Sequence, residues 1–264
     1  MLEIRNLSKS FQGLQVFSGI DLTVEDRPGE KSPLIGVIGP NGAGKTTLFN
    51  IFTGYAKADG GSVIFDGKEL LGKKPHEIVR AGLTRTFQST LAFRQLTVKE
   101  NVLVAAYLHE DFSFLERFIY PLVSLKLTQK KTRDAQERAE KVLSMVGMLD
   151  DMDMVSGNLP YGKQKKLGIA MGLATEPKLL ALDEPAAGLN PHETAETMEL
   201  LQEINRGGTA VLVIEHNMKL IMTACERIYV LSGGRIIAEG LPQEIAKNER
   251  VIEVYLGKGM TAHA

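Results

Sequence analysis

The sequence predicts an α/β fold with a parallel sheet, an antiparallel β subdomain beside it and an inserted helical subdomain. Three observations carry this expectation. Residues 33–38, 179–182 and 209–214 are continuous apolar runs, the character of strands covered on both faces in a parallel sheet. Helical patterns follow each run, at 46–53, 191–204 and 218–224, and such alternation builds a doubly wound core. From about residue 97 to 146 the pattern turns helical and strand signals stop.

The elements follow in chain order. Residues 2–7 and 20–24 alternate apolar and polar side chains, and 62–67 reads as a strand closed by a turn, which together predict the antiparallel β layer. Residues 29–33, ahead of the first buried run, read as an extended surface turn. Residues 98–106 and 135–145 have helix-forming composition. Between them, 112–127 is rich in Phe and Leu and contains Pro121, and core packing of the insert is the expectation there. The expected organisation is one domain over 1–264: a core from 1–90 and 160–247, a helical insert at 91–159 and a tail at 248–264.

Composition narrows the function classes. The 264 residues are 44 % hydrophobic and 24 % charged, which argues against disorder, collagen-like repeats and coiled coil. Lys and Arg number 31 against 32 Asp and Glu, a net charge of -1, so no nucleic-acid partner is expected. A single cysteine, Cys225, cannot form an internal disulfide and suits a reducing compartment. The longest stretch free of charged side chains, 32–44, falls short of the ~18 residues of a membrane span. The first residues lack the pattern of a secretory signal, so a cytoplasmic location is expected.

The chemistry begins at Gly39-Pro40-Asn41-Gly42-Ala43-Gly44-Lys45-Thr46, followed by Thr47. This fits the phosphate-loop pattern and lies between a buried-strand run and a helix pattern, the context the motif requires. Glycines let successive N–H groups turn onto a polyphosphate, and the following helix presents its positive end. Lys45 would neutralise β and γ phosphates, and the Thr46 hydroxyl would serve Mg²⁺. A P-loop NTPase core follows. Asp183 and Glu184 end the second buried run, where ligands bind in open α/β sheets. Asp183 can hold Mg²⁺ through water, and Glu184 is placed to act as a base. His216 follows the third run. A lone histidine is more often structural, but here three strands deliver polar groups to one edge.

With these residues the chain resembles the ATP-binding subunit of ABC transporters, over nearly its whole length. The matching parts are Phe11, the loop from Gly39 to Thr47, a Q-loop glutamine in Arg85-Thr86-Phe87-Gln88, and a signature region, Leu159-Pro160-Tyr161-Gly162-Lys163-Gln164. The D-loop Ala187-Gly188-Leu189-Asn190 and the switch histidine His216 complete the set. The subgroup resembled is that of branched-chain amino acid importers, on Arg85 to Gln88, Glu184 to Pro191, Ile214-Glu215-His216-Asn217-Met218-Lys219 and Val254-Tyr255-Leu256-Gly257.

The resemblance implies adenine stacking for Phe11, phosphate binding for Lys45 and the loop amides, and metal binding for Thr46 and Asp183. It gives Gln88 contact with Mg²⁺ or water and, with the segment up to Arg94, signalling to the membrane subunits. Glu184 polarises water, and His216 steadies the γ-phosphate. It implies a head-to-tail dimer with a second ATPase subunit, each signature acting on the partner's ATP. Two membrane-spanning permease subunits and, indirectly, a solute-binding protein complete the expected assembly, with this chain peripheral at the cytoplasmic face of the membrane.

The signature departs from the family's Leu-Ser-Gly-Gly-Gln. Pro160, Tyr161 and Lys163 replace the serine, the first glycine and the glutamine, removing a hydroxyl and a backbone N–H. Lys163, Lys165 and Lys166 read either as a solvated basic face or as a phosphate contact. Asn190 stands for the common D-loop aspartate. Three functions remain open: an ATPase motor for amino-acid import or for another solute, a nucleotide-gated subunit with little turnover, and a soluble ABC ATPase of repair or translation. The last usually carries two cassettes or long coiled coils, neither of which is evident.

Overall fold

The computed structural model describes residues 1–25, 32–86, 92–107 and 125–260. Gln88 with the adjoining 89–91, the turn residues 29–31 and the Phe/Leu-rich 112–124 lie outside them. In chain order the elements are β1 (Leu2–Phe11), β2 (Leu14–Val24), β3 (Leu34–Ile38), α1 (Lys45–Phe52), β4 (Gly60–Phe65), β5 (Lys68–Glu69), α2 (Pro75–Arg80) and β6 (Leu83–Thr86). Three longer helices follow, α3 (Val98–Tyr107), α4 (Leu125–Met145) and α5 (Tyr161–Leu173). The chain then runs through β7 (Leu179–Asp183), α6 (Pro191–Arg206), β8 (Ala210–Ile214), α7 (Met218–Ala224), β9 (Arg227–Ser232), β10 (Arg235–Gly240), α8 (Pro242–Ile245) and α9 (Glu249–Met260).

Two sheets organise the first compact unit, Met1–Gln88 with Lys178–Ala264. One is antiparallel in the order β2-β1-β4-β5. Leu2, Ile4 and Leu7 of β1 are buried while Arg5 and Asn6 face solvent, the alternation of a sheet with one wet face. The other has the order β10-β9-β3-β8-β7-β6, parallel except for β10. Every residue of β3, β7 and β8 is buried, as their unbroken apolar runs require. A shared core joins Phe17, Val63 and Phe65 of the first sheet to Phe49 and Phe52 of α1 and Val37, Leu212 and Leu231 of the second. The hydroxyl of Tyr229 in β9 donates to the Thr23 carbonyl at 2.9 Å, tying the two sheets by a polar contact as well.

The helical unit spans Ser89–Pro177. Its described residues form helices and short 3-10 turns, with one isolated bridge, Thr97 to Val155. Asn101 is fully buried; its carbonyl accepts from the Phe93 N–H at 2.7 Å and its amide donates to the Thr97 carbonyl at 2.9 Å. Buried polar groups persist when satisfied in this way.

The structure adds detail to three expectations. The second boundary of the insert falls near 177 rather than 159, because α5 packs with α3 and α4. The tail expected from 248 is a helix over Glu249–Met260, anchored by the buried Val251. Finally, α4 begins ten residues before the expected 135. Among the described residues no helix is long and apolar enough to cross a membrane.

Candidate nucleotide site

Strand register brings the chemistry to one edge. Val37 of β3 and Asp183 of β7 both pair with Ile214 of β8, so the segments leaving these strands emerge side by side. The loop after β3 is shaped by close approach. A Cβ on Gly39 would stand 2.0 Å from the Leu231 carbonyl oxygen. Gly44, the N-cap of α1, has φ 100°, and a Cβ there would stand 2.5 Å from the Phe17 ring. No side chain caps α1 and no acid sits in its first turn, so its leading amides face outward as anion donors. Lys45 is buried, and its Nζ donates to the carbonyls of Gly39 at 2.8 Å and Pro40 at 3.2 Å. The ammonium therefore lies inside the loop, where phosphate oxygens can replace those carbonyls.

The exposed Thr46 hydroxyl and the Asp183 carboxylate are hard oxygen donors, which fit Mg²⁺. Among the described residues no group of three or more His, Cys, Asp or Glu forms a metal cage. A divalent ion here would thus depend on nucleotide phosphates for the rest of its shell.

Asp183 is 3 % exposed, and its Oδ2 accepts from Arg85 Nη2 at 2.6 Å. Glu184 adopts φ 49°, a left-handed conformation that costs a non-glycine residue ~1–3 kcal/mol and concentrates at functional sites. Its N–H donates to the Ile214 carbonyl at 3.0 Å, which holds the turn at the strand end. His216 Nδ1 lies 4.0 Å from Glu184 Oε1 and 3.8 Å from Glu215 Oε2.

Glu215 is 1 % exposed. It accepts from the Ala186 N–H at 2.9 Å and the His216 N–H at 3.2 Å, joining the segment after Glu184 to the histidine turn. Burial pushes its carboxyl above the ordinary glutamate range, and the Ala186 amide opposes that shift in part. The sequence pattern alone assigns no role to Arg85 or Glu215. The available signal was a charged residue in or directly after an otherwise buried strand.

Phe11 ends β1 and is half exposed, with Lys9 Nζ 4.8 Å from its ring centroid. Gly188 has φ 79°, and Leu189 leads into α6. Asn190 caps that helix: its Oδ1 accepts from the N–H groups of His192 at 2.9 Å and Glu193 at 3.0 Å, while Glu193 accepts from the Asn190 N–H. Beside the phosphate loop, a groove is lined by Pro40, Asn41, Ser232, Gly233, Glu253 and Val254. Next in the chain after Val254, the buried Tyr255 hydroxyl makes no hydrogen bond of ordinary geometry. Burial pushes its pKa up to about 12, while the nearby Gly39 amide pulls it down.

The signature residues belong to the helical unit. Leu159 is buried, Pro160 is the N-cap of α5 with ψ 151°, Tyr161 is exposed and Gly162 is buried. Lys163 Nζ stands 2.7 Å from both carboxylate oxygens of Asp151, so the lysine is ion-paired rather than merely solvated. Lys165 is buried, with Nζ 5.6 Å from the Tyr161 ring centroid.

A parallel sheet with a phosphate loop, two acids and a histidine at one edge defines a nucleotide-binding cassette. The chain belongs to the ABC transporter ATP-binding family, whose "ABC transporter" model matches residues 20–187. A further model, "Branched-chain amino acid ATP-binding cassette transporter", matches 235–260, from β10 to α9. Among curated relatives, the high-affinity branched-chain amino acid transport ATP-binding protein BraF of Pseudomonas aeruginosa is 39 % identical, with 98 % of each chain covered. LivG of Escherichia coli K12, of the same description, is 40 % identical, again over 98 % of each chain. The crystal structure of the ADP conformation of an ATP-binding cassette of an ABC transporter superposes with a TM-score of 0.81 at 30 % identity, covering 97 % of this chain and 98 % of the other.

Proposed function

We propose that this chain is the ATP-binding and ATP-hydrolysing subunit that powers a branched-chain amino acid importer. The observation that carries the reading is the Lys45 loop, Asp183, Glu184 and His216 on one sheet edge, in a chain with this identity to BraF and LivG. Lys45 and the amides of Gly42 to Thr47 bind the β and γ phosphates. Phe11 offers its open ring to adenine. Glu184 orients the attacking water and takes its proton, and His216 steadies the γ-phosphate. Thr46 and Asp183, with Gln88, would hold Mg²⁺, which when bound would neutralise charge on the phosphates.

The signature on α5 acts on ATP bound to a second ATPase subunit in a head-to-tail dimer. Two permease subunits receive the stroke, a solute-binding protein delivers the amino acid, and the chain works at the cytoplasmic face. One observation favours a second reading, a nucleotide-gated subunit with little turnover: Pro160 brings neither hydroxyl nor N–H to the start of α5. Glu184→Gln separates the two. With the partner's site disabled, the motor reading expects ATP binding to persist while turnover falls about 10²–10⁴-fold. Near-normal turnover would reject Glu184 as the base, and negligible turnover by the unaltered protein would favour the gated subunit.

A further inference from the structure

Arg85 is a cation in the interior of the nucleotide-binding unit, and its surroundings fix it from several sides. In the β6–β7 pairing it lies opposite Ala181. Asp183 is two residues further along β7, hence on the same face as Ala181 and diagonal to Arg85. Arg85 Nη2 donates to Asp183 Oδ2 at 2.6 Å, and the two side chains are 3 % and 4 % exposed. The other arm of the guanidinium is anchored on α1. Nη1 donates to Asn50 Oδ1 at 2.6 Å and to Thr53 Oγ1 at 3.4 Å, and the Cζ lies 5.7 Å from the Phe49 ring centroid. The helix that opens with the phosphate-loop lysine is thereby joined to the carboxylate of the neighbouring strand through one planar group.

We propose that Arg85 is a positioning residue that fixes the Asp183 carboxylate for Mg²⁺, by tying one of its oxygens to α1. The inference rests on the reading of Asp183 as the metal-side acid. An aspartate side chain turns about two bonds. With Oδ2 held by a guanidinium that is itself held by Asn50, the direction of Oδ1 is set before an ion arrives. Among the described residues no hydrogen bond occupies Oδ1. Such preorganisation removes an ordering cost from metal binding. The anchored positive charge also compensates the buried carboxylate, which alone would be strongly unfavourable in the interior. Lysine cannot substitute, since a single ammonium lacks the planar fork that spans Asn50 and Asp183 together.

The test is the Mg²⁺ dependence of binding of a fluorescent ATP analogue to the full chain, with a thermal melt reporting the fold. Arg85→Lys keeps the charge and loses the fork. It should raise the half-saturating Mg²⁺ concentration about tenfold, the scale of a lost charge-assisted hydrogen bond, while Mg²⁺-free affinity stays within about twofold. Asn50→Ala leaves the Arg85–Asp183 pair in place but frees the other arm, so a smaller shift in the same direction is expected. It decides the question if Arg85→Lys does not fold. Asp183→Asn serves as reference. If it shifts the Mg²⁺ dependence while the arginine and asparagine variants do not, Arg85 only packs and the inference is overturned. Equal loss of affinity with and without Mg²⁺ in those variants would overturn it too. An unchanged profile in Asp183→Asn would instead reject Asp183 as the metal-side acid, and the inference would fall with it.

Discussion

Lys45 already makes, within its own loop, the kind of bonds it offers a phosphate. Its contacts to Gly39 and Pro40 keep a buried ammonium satisfied, so on the proposed reading nucleotide binding would exchange carbonyl oxygens for phosphate oxygens rather than draw a charge from water. Lys45→Ala is expected to weaken ATP binding by at least about tenfold, measured by calorimetry, because a charge-assisted contact worth ~1.5–3 kcal/mol is lost.

Glu215 gives the residue scale a pH signature. Its carboxyl is raised by burial above the ordinary 4.5, so the folded state holds the proton more tightly than the unfolded chain. Its contribution to stability is therefore largest at low pH and declines as pH rises from about the ordinary value through the raised folded value. Relative to Glu215→Gln, the unaltered protein should lose stability across that window, read from urea midpoints at a series of pH values. A difference between the two that does not change with pH would contradict the assignment. Lys45, Asp183, Glu184 and His216 are legible in the sequence because each sits at a fixed offset from an apolar run. Arg85 and Glu215 are not, since their importance lies in partners far along the chain, Asp183 for one and Ala186 for the other.

At the scale of elements, caps decide how the catalytic segments are held. Asn190 closes a reciprocal capping box with Glu193 at the start of α6, which accounts for an asparagine at this D-loop position. Asn190→Ala should cost ~1 kcal/mol in a urea titration; no loss would mean that the box contributes nothing. Pro160 caps α5 without a side-chain bond, so Pro160→Ser adds a hydroxyl at the N-cap. Faster single-turnover hydrolysis at the site this signature serves is expected, within ~10-fold.

Elements with a strong period are readable from sequence: β3, β7 and β8 by unbroken apolar runs, and α7 to the residue. By contrast, β6 is four residues, Leu-Thr-Arg-Thr, and β9 and β10 mix Arg, Tyr, Ser and Glu with apolar positions. Their strand state comes from pairing with β7, β3 and each other, a tertiary effect that local pattern does not encode. The extent of the helical unit is not legible in the sequence for a similar reason. The signature marks a motif boundary in the sequence, whereas compactness follows the packing of α5 with α3 and α4.

For the whole molecule, the account implies two unequal nucleotide sites in the assembled transporter. In the proposed head-to-tail pairing, the site made by this chain's phosphate loop would use the partner's signature, and the partner's loop would use Pro160 and Gly162. A complex carrying Lys45→Ala should therefore turn over more slowly, in a single-turnover measurement, than one lacking the equivalent lysine in the partner. Equal rates, with no response to Pro160→Ser, would mean that the altered signature has no catalytic consequence.

The central claim, an ATPase coupled to branched-chain amino acid import, meets its most direct test in proteoliposomes holding this chain with its permease, partner ATPase and solute-binding subunits. ATP hydrolysis is measured as leucine, isoleucine, valine and unrelated solutes are supplied in turn. With the partner's site disabled, the account predicts stimulation by branched-chain amino acids that disappears with Glu184→Gln. Stimulation by another solute alone, or hydrolysis indifferent to Glu184→Gln, would contradict it.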